Sequence, residues 1–181
     1  MTKTRKPTEA GELTVDVRIA DAGWRALIPR PAATCRRAVT AAWRAADTAF
    51  ARRLKGRDAE VSVLLAGDDE VAALNAQYRG KKGPTNVLSF PGIDADELAA
   101  VPAGQPVPLG DVAIALGQLG READAQALAP ADHFRHLCVH GMLHLLGYDH
   151  LDDQDAAVME ELETAALAGL GVADPYASAH G

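Results

Sequence analysis

The chain has 181 residues, and its 18 basic and 25 acidic residues give a formal net charge of −7, which taken alone argues against a nucleic-acid partner. Its length and its 48% hydrophobic residues suit one domain with its own core and exclude a chain that is disordered throughout, while no apolar run reaches the roughly 20 residues of a membrane-spanning helix. Two cysteines cannot build a disulfide framework and the basic N-terminus has no apolar stretch, so a cytoplasmic protein with reduced thiols is expected.

Hydrophobic periodicity predicts two strands and two helices in the first half of the chain. After a tail over residues 1–12, alternating apolar residues predict a strand over 13–19. An Ala- and Arg-rich segment with larger apolar anchors predicts a helix over 32–54. A second apolar run predicts a strand over 60–65, and acidic residues then favour the start of a helix over 68–78.

The second half continues with two strands and then with helices. A break rich in Gly and Lys precedes a strand over 86–90, and a proline-rich surface loop over 91–108 precedes a strand over 111–116. Three helices are expected over 118–128, 131–146 and 152–170. This order predicts a single α+β domain over 13–176, with a four-stranded mixed sheet, about five helices and a C-terminal tail over 177–181.

Histidines are concentrated in one segment of the predicted helical region. Five of the six lie within 18 residues: His133, His136, His140, His144 and His150. The sixth, His180, lies in the C-terminal tail. The spacing of the clustered histidines decides which of them can share a ligand.

His140 and His144 are one turn apart on the predicted helix, so their side chains are separated by about 40° and about 6 Å. Two imidazoles at this spacing can converge on one metal ion. In a continuous helix His150 would lie about 15 Å along the axis from His140 and could not reach that ion. Gly147 can adopt a left-handed conformation that ends the helix and turns the chain back, so that His150 approaches the ion from the other side.

Three neutral histidines leave a tetrahedral ion one open position, which is typical of a catalytic zinc site rather than a structural one. One divalent ion per chain is therefore expected at His140, His144 and His150. Zinc suits these ligands, although nickel and copper bind such sites too. The alternative is a buried or capped structural histidine pair; the third histidine and the well-placed Gly147 favour the metal site.

Spacing leaves the roles of some neighbouring residues open. His136, one turn before His140, is either a hydrogen-bond partner of the site or part of the helix surface. His133 is expected to be solvated. Cys138 faces away from His140 on the helix and is assigned to the core, as is Cys35.

The spacing His-x3-His-x2-Gly-x2-His matches the metzincin protease frame, in which a glutamate follows the first histidine and acts as the general base. Here that position is Gly141, which has no side chain. The pattern therefore keeps the ligand spacing of a peptidase and lacks its base.

The segment from His136 to His150, HLCVHGMLHLLGYDH, resembles the signature of the YbeY family, the bacterial rRNA-maturation endoribonucleases. Three further parts of the chain agree with that family: residues 74–80 with 84–91, the Gly-Asp strand at 109–112, and the ending at 174–176. The resemblance covers about residues 12–176. The chain departs from the family at two places: Lys82-Gly83, where an acidic residue is expected, and a long loop over 92–108. Neither departure involves the metal-ligating histidines.

The resemblance implies a metal-dependent endoribonuclease that cleaves single-stranded RNA. It also implies a role in rRNA processing, in maturation of the 3′ end of 16S rRNA and in ribosome quality control. The implied partners are single-stranded rRNA, the small ribosomal subunit and assembly factors. Neither a membrane nor DNA is expected as a partner.

Within this framework, His140 and Arg79 are the candidate catalytic residues. A guanidinium matches the geometry of a phosphate and keeps its charge, so Arg79 is a candidate phosphate clamp; the alternative is a structural ion pair. Lys81 and Lys82 extend the basic patch and either contact substrate or are simply solvated.

Three residues near the motifs have more than one interpretation. Asp111 either orients a ligand histidine or lines the catalytic cleft, unless it only makes local hydrogen bonds at a strand end. Asp149 either orients the site or, as we favour, ties down the turn before His150. Tyr148 is expected to pack inside the protein rather than to stack on a base. No residue is assigned as the general base.

Three hypotheses remain: an endoribonuclease, a metzincin-like metallo-hydrolase or peptidase, and a metal-binding ribosome-assembly factor without catalysis. The missing glutamate at position 141 weighs against the second. The third predicts that His140→Ala leaves the cellular role intact. The first predicts a locally positive cleft on an acidic body, whose binding to free RNA is weak and falls steeply with salt.

Overall fold

The structure, a computed structural model, describes residues 11–177. The expected tails over 1–12 and 177–181 lie almost entirely outside the described residues, as does His180. Glu12 is an exception, because its backbone N–H and carbonyl bond to the residues that begin the second strand.

Four strands form one mixed sheet: β1 (Leu13–Ile19), β2 (Ala59–Ala66), β3 (Val87–Pro91) and β4 (Val107–Ala115). Their order is β1-β2-β4-β3, with β1, β2 and β4 parallel and β3 antiparallel to β4 at the edge. In β1 and β2 the more buried residues alternate with exposed ones, so these strands present one face to the core. The predicted four-stranded mixed sheet of an α+β domain is confirmed.

Seven α-helices lie within the described residues, where about five were predicted. They are α1 (Gly23–Leu27), α2 (Pro31–Ala45), α3 (Ala49–Arg53), α4 (Asp68–Arg79), α5 (Leu116–Ala125), α6 (Pro130–Leu145) and α7 (Asp153–Ala168). The helix predicted over 32–54 is divided in two, because the Thr48 side chain caps α3 by accepting from the Ala51 N–H. The same hydroxyl donates to the Leu146 carbonyl at 2.7 Å, which joins this break to the end of α6.

The segment predicted as a surface loop over 91–108 is only partly irregular. It contains a 3-10 helix over Glu97–Ala100, and β4 begins at Val107 instead of the predicted 111. Arg57 fastens this segment to the body of the protein, since its guanidinium donates to three backbone carbonyls of residues 98–102 at 2.9–3.2 Å.

The two faces of the sheet are covered differently. One face packs against α2 and α6, and Leu65 of β2 is fully buried there. α4 covers the other face only near the carboxyl ends of β2 and β4, so that Ser62 and Asp111 line an open concave surface. Within residues 11–177, no helix combines the length and the apolar character needed to cross a bilayer.

Candidate metal centre

Two histidines lie one turn apart near the C-terminal end of α6. The ring centroids of His140 and His144 are 4.6 Å apart, and their Nε2 atoms are separated by 3.1 Å. Both side chains are partly exposed, whereas Met142 and Leu143 between them are fully buried. The apolar face of α6 is thus held in the core while its two imidazoles lie together at the surface.

The chain reverses at Gly147, whose φ of +92° lies in the left-handed region. The Gly147 N–H donates to the His144 carbonyl and the Tyr148 N–H donates to the Leu143 carbonyl, both at 3.1 Å. This pair of hydrogen bonds is the Schellman arrangement that closes a helix C-terminus. The turn brings the His150 ring to 5.1 Å from the His144 ring, so the predicted helix stop at Gly147 is confirmed.

The three histidines offer one ligand atom each, and these atoms all lie within 4.8 Å of one another. A tetrahedral ion with bonds of about 2.0–2.1 Å holds its nitrogen ligands about 3.3 Å apart. The 3.1 Å between the Nε2 atoms of His140 and His144 fits that separation. The donor set therefore fits a divalent ion such as zinc, and the exposed His150 leaves one side of the cluster open to solvent.

Hydrogen bonds at the second ring nitrogen orient both α6 histidines. The His144 Nδ1 lies 3.0 Å from the Tyr148 carbonyl, and the His140 Nδ1 lies 2.6 Å from a Glu163 carboxylate oxygen. Since both partners are acceptors, each Nδ1 carries the proton and each Nε2 keeps its lone pair for a metal ion. Burial, followed by the nearby His140 and His150, lowers the pKa of His144 to about 4, so this ring is neutral at neutral pH.

Glu163 of α7 is the hydrogen-bonding centre of the cluster, and its side chain is 1% exposed. One carboxylate oxygen accepts from His140, and the other lies 2.8 Å from the His136 Nε2 and accepts from the Tyr176 hydroxyl. Burial acts to raise the pKa of Glu163, but hydrogen bonds from His136, His140 and Tyr176 outweigh it and lower the pKa to about 2. A charged carboxylate is therefore held on the Nδ1 side of His140, a candidate metal ligand.

Glu163 is absent from the residues that the sequence predicted for the site. A signal was present in α7, where Glu163 lies on the same buried stripe as Met159, Ala166 and Leu167. An acidic residue on the apolar face of a helix needs polar partners inside the protein. That pattern marks Glu163 as a residue with polar partners inside the protein, but it does not identify those partners.

The two earlier histidines of α6 also contact carboxylates. His136 lies against Glu163 and 3.2 Å from the Tyr176 hydroxyl, so it is a hydrogen-bond partner in the cluster rather than plain helix surface. The prediction that His133 is solvated is wrong: its side chain is 6% exposed, and its Nε2 lies 2.8 Å from a Glu122 oxygen of α5. The packing of α5 against α6 covers it, and the periodicity of one helix cannot show such packing.

Gly141, which stands where metzincin proteases carry their glutamate, faces the sheet rather than the histidines. A Cβ atom at this position would lie 2.8 Å from a methyl carbon of Val112 and 3.3 Å from the Ser89 hydroxyl oxygen. The Ser89 hydroxyl donates to the Gly141 carbonyl at 2.9 Å, which fastens α6 to the edge strand β3. The glycine is a point of close helix–sheet approach, and a glutamate side chain there would enter the core instead of the site.

Comparison with known proteins agrees with this arrangement. The family model described as "Endoribonuclease YbeY" matches residues 32–171, a span that includes the whole histidine cluster. The chain belongs to the YbeY endoribonuclease family.

Its YbeY relatives are similar over most of their length. The endoribonuclease YbeY of Rhodospirillum rubrum is 51% identical over 163 residues, which cover 90% of this chain and 80% of that protein. The YbeY of Paramagnetospirillum magneticum is 46% identical over 91% of this chain and 95% of its own length, and that of Ruegeria pomeroyi is 45% identical over 91% and 98%. The solution structure of TM1509 from Thermotoga maritima has a TM-score of 0.53 at 22% identity over 85% of this chain and 87% of that one, a likeness of fold alone.

Asp111, in the Gly-Asp strand of the YbeY motifs, does not meet the histidine cluster. Its neighbour Val112 faces Gly141 of α6, so the alternation of β4 turns the Asp111 side chain to the opposite face of the sheet. There it lines the open concave surface together with Ser62 and Tyr78. The prediction that Asp111 orients a ligand histidine is therefore wrong.

Asp149 and Tyr148 belong to the turn that carries His150. The Asp149 carboxylate accepts from the His150 N–H at 2.8 Å, which agrees with the favoured interpretation that it ties down the turn. The Tyr148 hydroxyl accepts from a backbone N–H between α2 and α3 at 2.8 Å, and its ring packs against the core as predicted. Cys138 and Cys35 are buried free cysteines, also as predicted.

Arg79 is the last residue of α4, and its guanidinium donates to the Ser89 carbonyl at the edge of the sheet at 2.9 Å. Within residues 11–177 the Arg79 guanidinium forms no ion pair with a carboxylate, whereas the sequence left a structural ion pair open as the alternative. Because the Ser89 hydroxyl bonds to Gly141, the Arg79 guanidinium and α6 contact the same residue of β3. Lys81 and Lys82 follow Arg79 in an exposed segment.

Proposed function

We propose that this chain is a metal-dependent endoribonuclease that cleaves single-stranded RNA during rRNA processing. The observation that carries the proposal is the histidine cluster, with two Nε2 atoms 3.1 Å apart, in a chain of the YbeY endoribonuclease family. Its relatives bear the name endoribonuclease, and that activity is extended to this chain. The same proposal includes action in the cytoplasm on the 3′ end of 16S rRNA and in ribosome quality control. Its proposed partners are the small ribosomal subunit and assembly factors.

In this proposal His140, His144 and His150 hold one divalent ion, and zinc suits their nitrogen donors. Such an ion, when bound, would act as a Lewis acid that polarises a phosphoryl oxygen and lowers the pKa of a water bound to it. Glu163 and the Tyr148 carbonyl hold two of the rings with their donor nitrogens available. Neutral ligands leave the charge of the ion available to the substrate.

Arg79 is proposed to bind a phosphate of the substrate, with Lys81 and Lys82 adding positive charge. In the described contacts one terminal guanidinium nitrogen of Arg79 is engaged, with the Ser89 carbonyl. Its other N–H groups can make charge-assisted hydrogen bonds to phosphate oxygens. The backbone contact holds the guanidinium at β3, the edge strand that also contacts α6 through the Ser89 hydroxyl.

The two competing hypotheses make different claims about the same residues. A peptidase is disfavoured, because Gly141 packs against the sheet and the buried Glu163 is engaged on the Nδ1 side of His140. A non-catalytic assembly factor predicts that rRNA processing in cells persists when His140 is replaced by alanine. The nuclease predicts that the same replacement abolishes processing.

The test combines metal analysis with a cleavage assay. The purified protein is expected to carry one divalent ion per chain and to cleave a labelled single-stranded RNA, with activity lost in chelator and restored by zinc. His140→Ala, purified in parallel, controls for contaminating nucleases and should be inactive. Metal-free protein that folds normally and cleaves equally well would contradict the proposal.

A further inference from the structure

The basic residues are distributed unevenly along this acidic chain. Residues 22–46 contain five arginines and no acidic residue, although the whole chain has a charge of −7. Helix α2 lies inside this segment and carries Arg36, Arg37 and Arg44, all of them exposed. Surface helices normally intersperse charges of both signs, which pair along the helix. Uncompensated arginines on α2 therefore mark a surface suited to an anionic partner.

The three arginines line one groove between α2 and α7, with a volume of about 720 Å³. The opposite wall, formed by the end of α7 and the two residues after it, consists of small and apolar residues: Ala165, Ala166, Gly169 and Leu170. No carboxylate lines it, and among residues 11–177 the Arg–carboxylate pairs involve other arginines. The Arg36 Nε donates to the Val15 carbonyl at 3.1 Å, which anchors one guanidinium at the groove.

We propose that this groove binds the phosphate backbone of single-stranded RNA outside the histidine cluster. The inference rests on the proposed function, since it gives the same substrate a second contact surface. Guanidinium groups match phosphate oxygens in pairs. Arg37 and Arg44 are separated by about 10.5 Å along the helix axis, so they can contact different phosphates of one strand. A protein partner is disfavoured, because the groove presents no exposed aromatic residue as an anchor.

The groove leads toward the turn of the candidate metal centre. Arg44 lies in the last turn of α2, and the backbone N–H of Asp47, just beyond, donates to the hydroxyl of Tyr148, a residue of the turn that carries His150. α7 is shared by both surfaces, since its Glu163 bonds to the histidines while its Ala165 and Ala166 line the groove. A strand that lies along the groove therefore ends close to the turn that carries His150.

The test is a titration of a labelled single-stranded RNA oligonucleotide with the full chain, in chelator so that the RNA is not consumed. Arg37→Gln combined with Arg44→Gln should weaken binding about tenfold and reduce the slope of log K against log salt by about 1.4, or about 0.7 for each lost phosphate contact. Arg25→Gln combined with Arg53→Gln removes the same charge from exposed positions outside the groove and should bind as the wild type does. Circular dichroism checks that both double variants fold.

Equal affinities and equal salt slopes for the groove variant and the control would overturn the proposal. A groove variant that binds RNA normally but loses affinity for a poly-glutamate peptide would also overturn it, and would assign the groove to an acidic protein. Cleavage is measured separately with the zinc-loaded wild type. Absence of cleavage would contradict the nuclease, whereas the groove is judged by binding alone, so the two proposals fail through different measurements.

Discussion

Glu163 links the C-terminal part of the described chain to the candidate metal centre. Its carboxylate is shared by His140, His136 and the Tyr176 hydroxyl, and its burial makes these partners necessary. Burial and the adjacent Glu163 raise the pKa of Tyr176, so that its hydroxyl remains a donor. This arrangement assigns Glu163 the role of orienting His140 rather than of touching a substrate.

We predict that Glu163→Gln lowers the affinity for zinc by about 10- to 100-fold, because a neutral amide holds the His140 Nδ1–H more weakly than a carboxylate does. Competition with a chromophoric chelator measures that affinity directly. Glu161→Gln changes the same charge at an exposed position of α7 and should leave the affinity unchanged. If Glu163→Gln binds zinc as tightly as the wild type, the carboxylate does not orient the ligand.

Gly147→Ala should destabilise the fold and also weaken zinc binding. A residue with a Cβ atom pays about 1–2 kcal/mol for the left-handed conformation, and the turn it would strain is the one that positions His150. Urea unfolding measures the first effect and chelator competition the second. Gly120→Ala in α5, where a Cβ would meet nothing nearer than 4.0 Å, should instead stabilise the helix by up to about 1 kcal/mol. A Gly147→Ala protein with unchanged stability would contradict this account.

At the scale of elements, features local in sequence could be predicted and those that depend on distant contacts could not. β1 spans the predicted residues 13–19, because alternation within one strand shows which face is buried. The five residues of α1 are too few to show a helical period. The cap of α3 by Thr48 is local, but the bond that joins this break to α6 runs from Thr48 to Leu146, which lies far along the chain.

The same distinction applies to the site. Helical spacing alone placed His140 beside His144, and the conformational preference of glycine placed the turn at Gly147. The partners of the histidines come from other elements: Glu163 from α7 and Glu122 from α5. Which helix packs against α6 is decided by the whole core, so the spacing within α6 could not reveal those partners.

Arg57 provides a test of how the segment between β3 and β4 is held. Arg57→Ala removes hydrogen bonds to three carbonyls of residues 98–102, which should lower the free energy of unfolding by about 1–3 kcal/mol. Limited proteolysis read by mass spectrometry should then show faster cutting within 94–105. Arg53→Ala, at an exposed position of α3, is the matched control. Equal cutting rates in both variants would show that the Arg57 contacts do not hold the segment.

At the scale of the whole molecule, carboxylates attach α5 to its neighbours at two points. Asp68 of α4 accepts from the Gln118 N–H at 2.9 Å and pairs with Arg121, while Glu122 accepts from the Asn86 side chain and lies 2.8 Å from His133. These contacts connect α5 to α4, α6 and the start of β3. The net charge of −7 therefore includes acidic groups with a structural role, and protonation should loosen the assembly around α5.

The stability of the protein should consequently fall as the pH drops below about 4.5, the ordinary value for a glutamate. Burial acts to raise the pKa of Glu122, but hydrogen bonds from Asn86, His133 and Gln118 outweigh it and lower the pKa. A group whose pKa is lower in the folded state than in the unfolded state stabilises the folded protein at pH values above its unfolded-state pKa. This contribution is lost as the pH falls through the folded-state pKa. Urea unfolding between pH 7 and pH 3 should show this loss.

Glu122→Gln should reduce both the stability at neutral pH and its decline in acid, because the amide cannot be protonated in this range. Glu161→Gln, which removes an exposed carboxylate of α7, should keep the wild-type pH dependence. If the free energy of unfolding depends on pH in the same way for Glu122→Gln and the wild type, the acid sensitivity comes from other groups. A flatter curve for Glu122→Gln than for Glu161→Gln would assign that part of the acid sensitivity to the carboxylate that ties α5 to His133. The two variants remove the same charge and differ in its burial and hydrogen bonds.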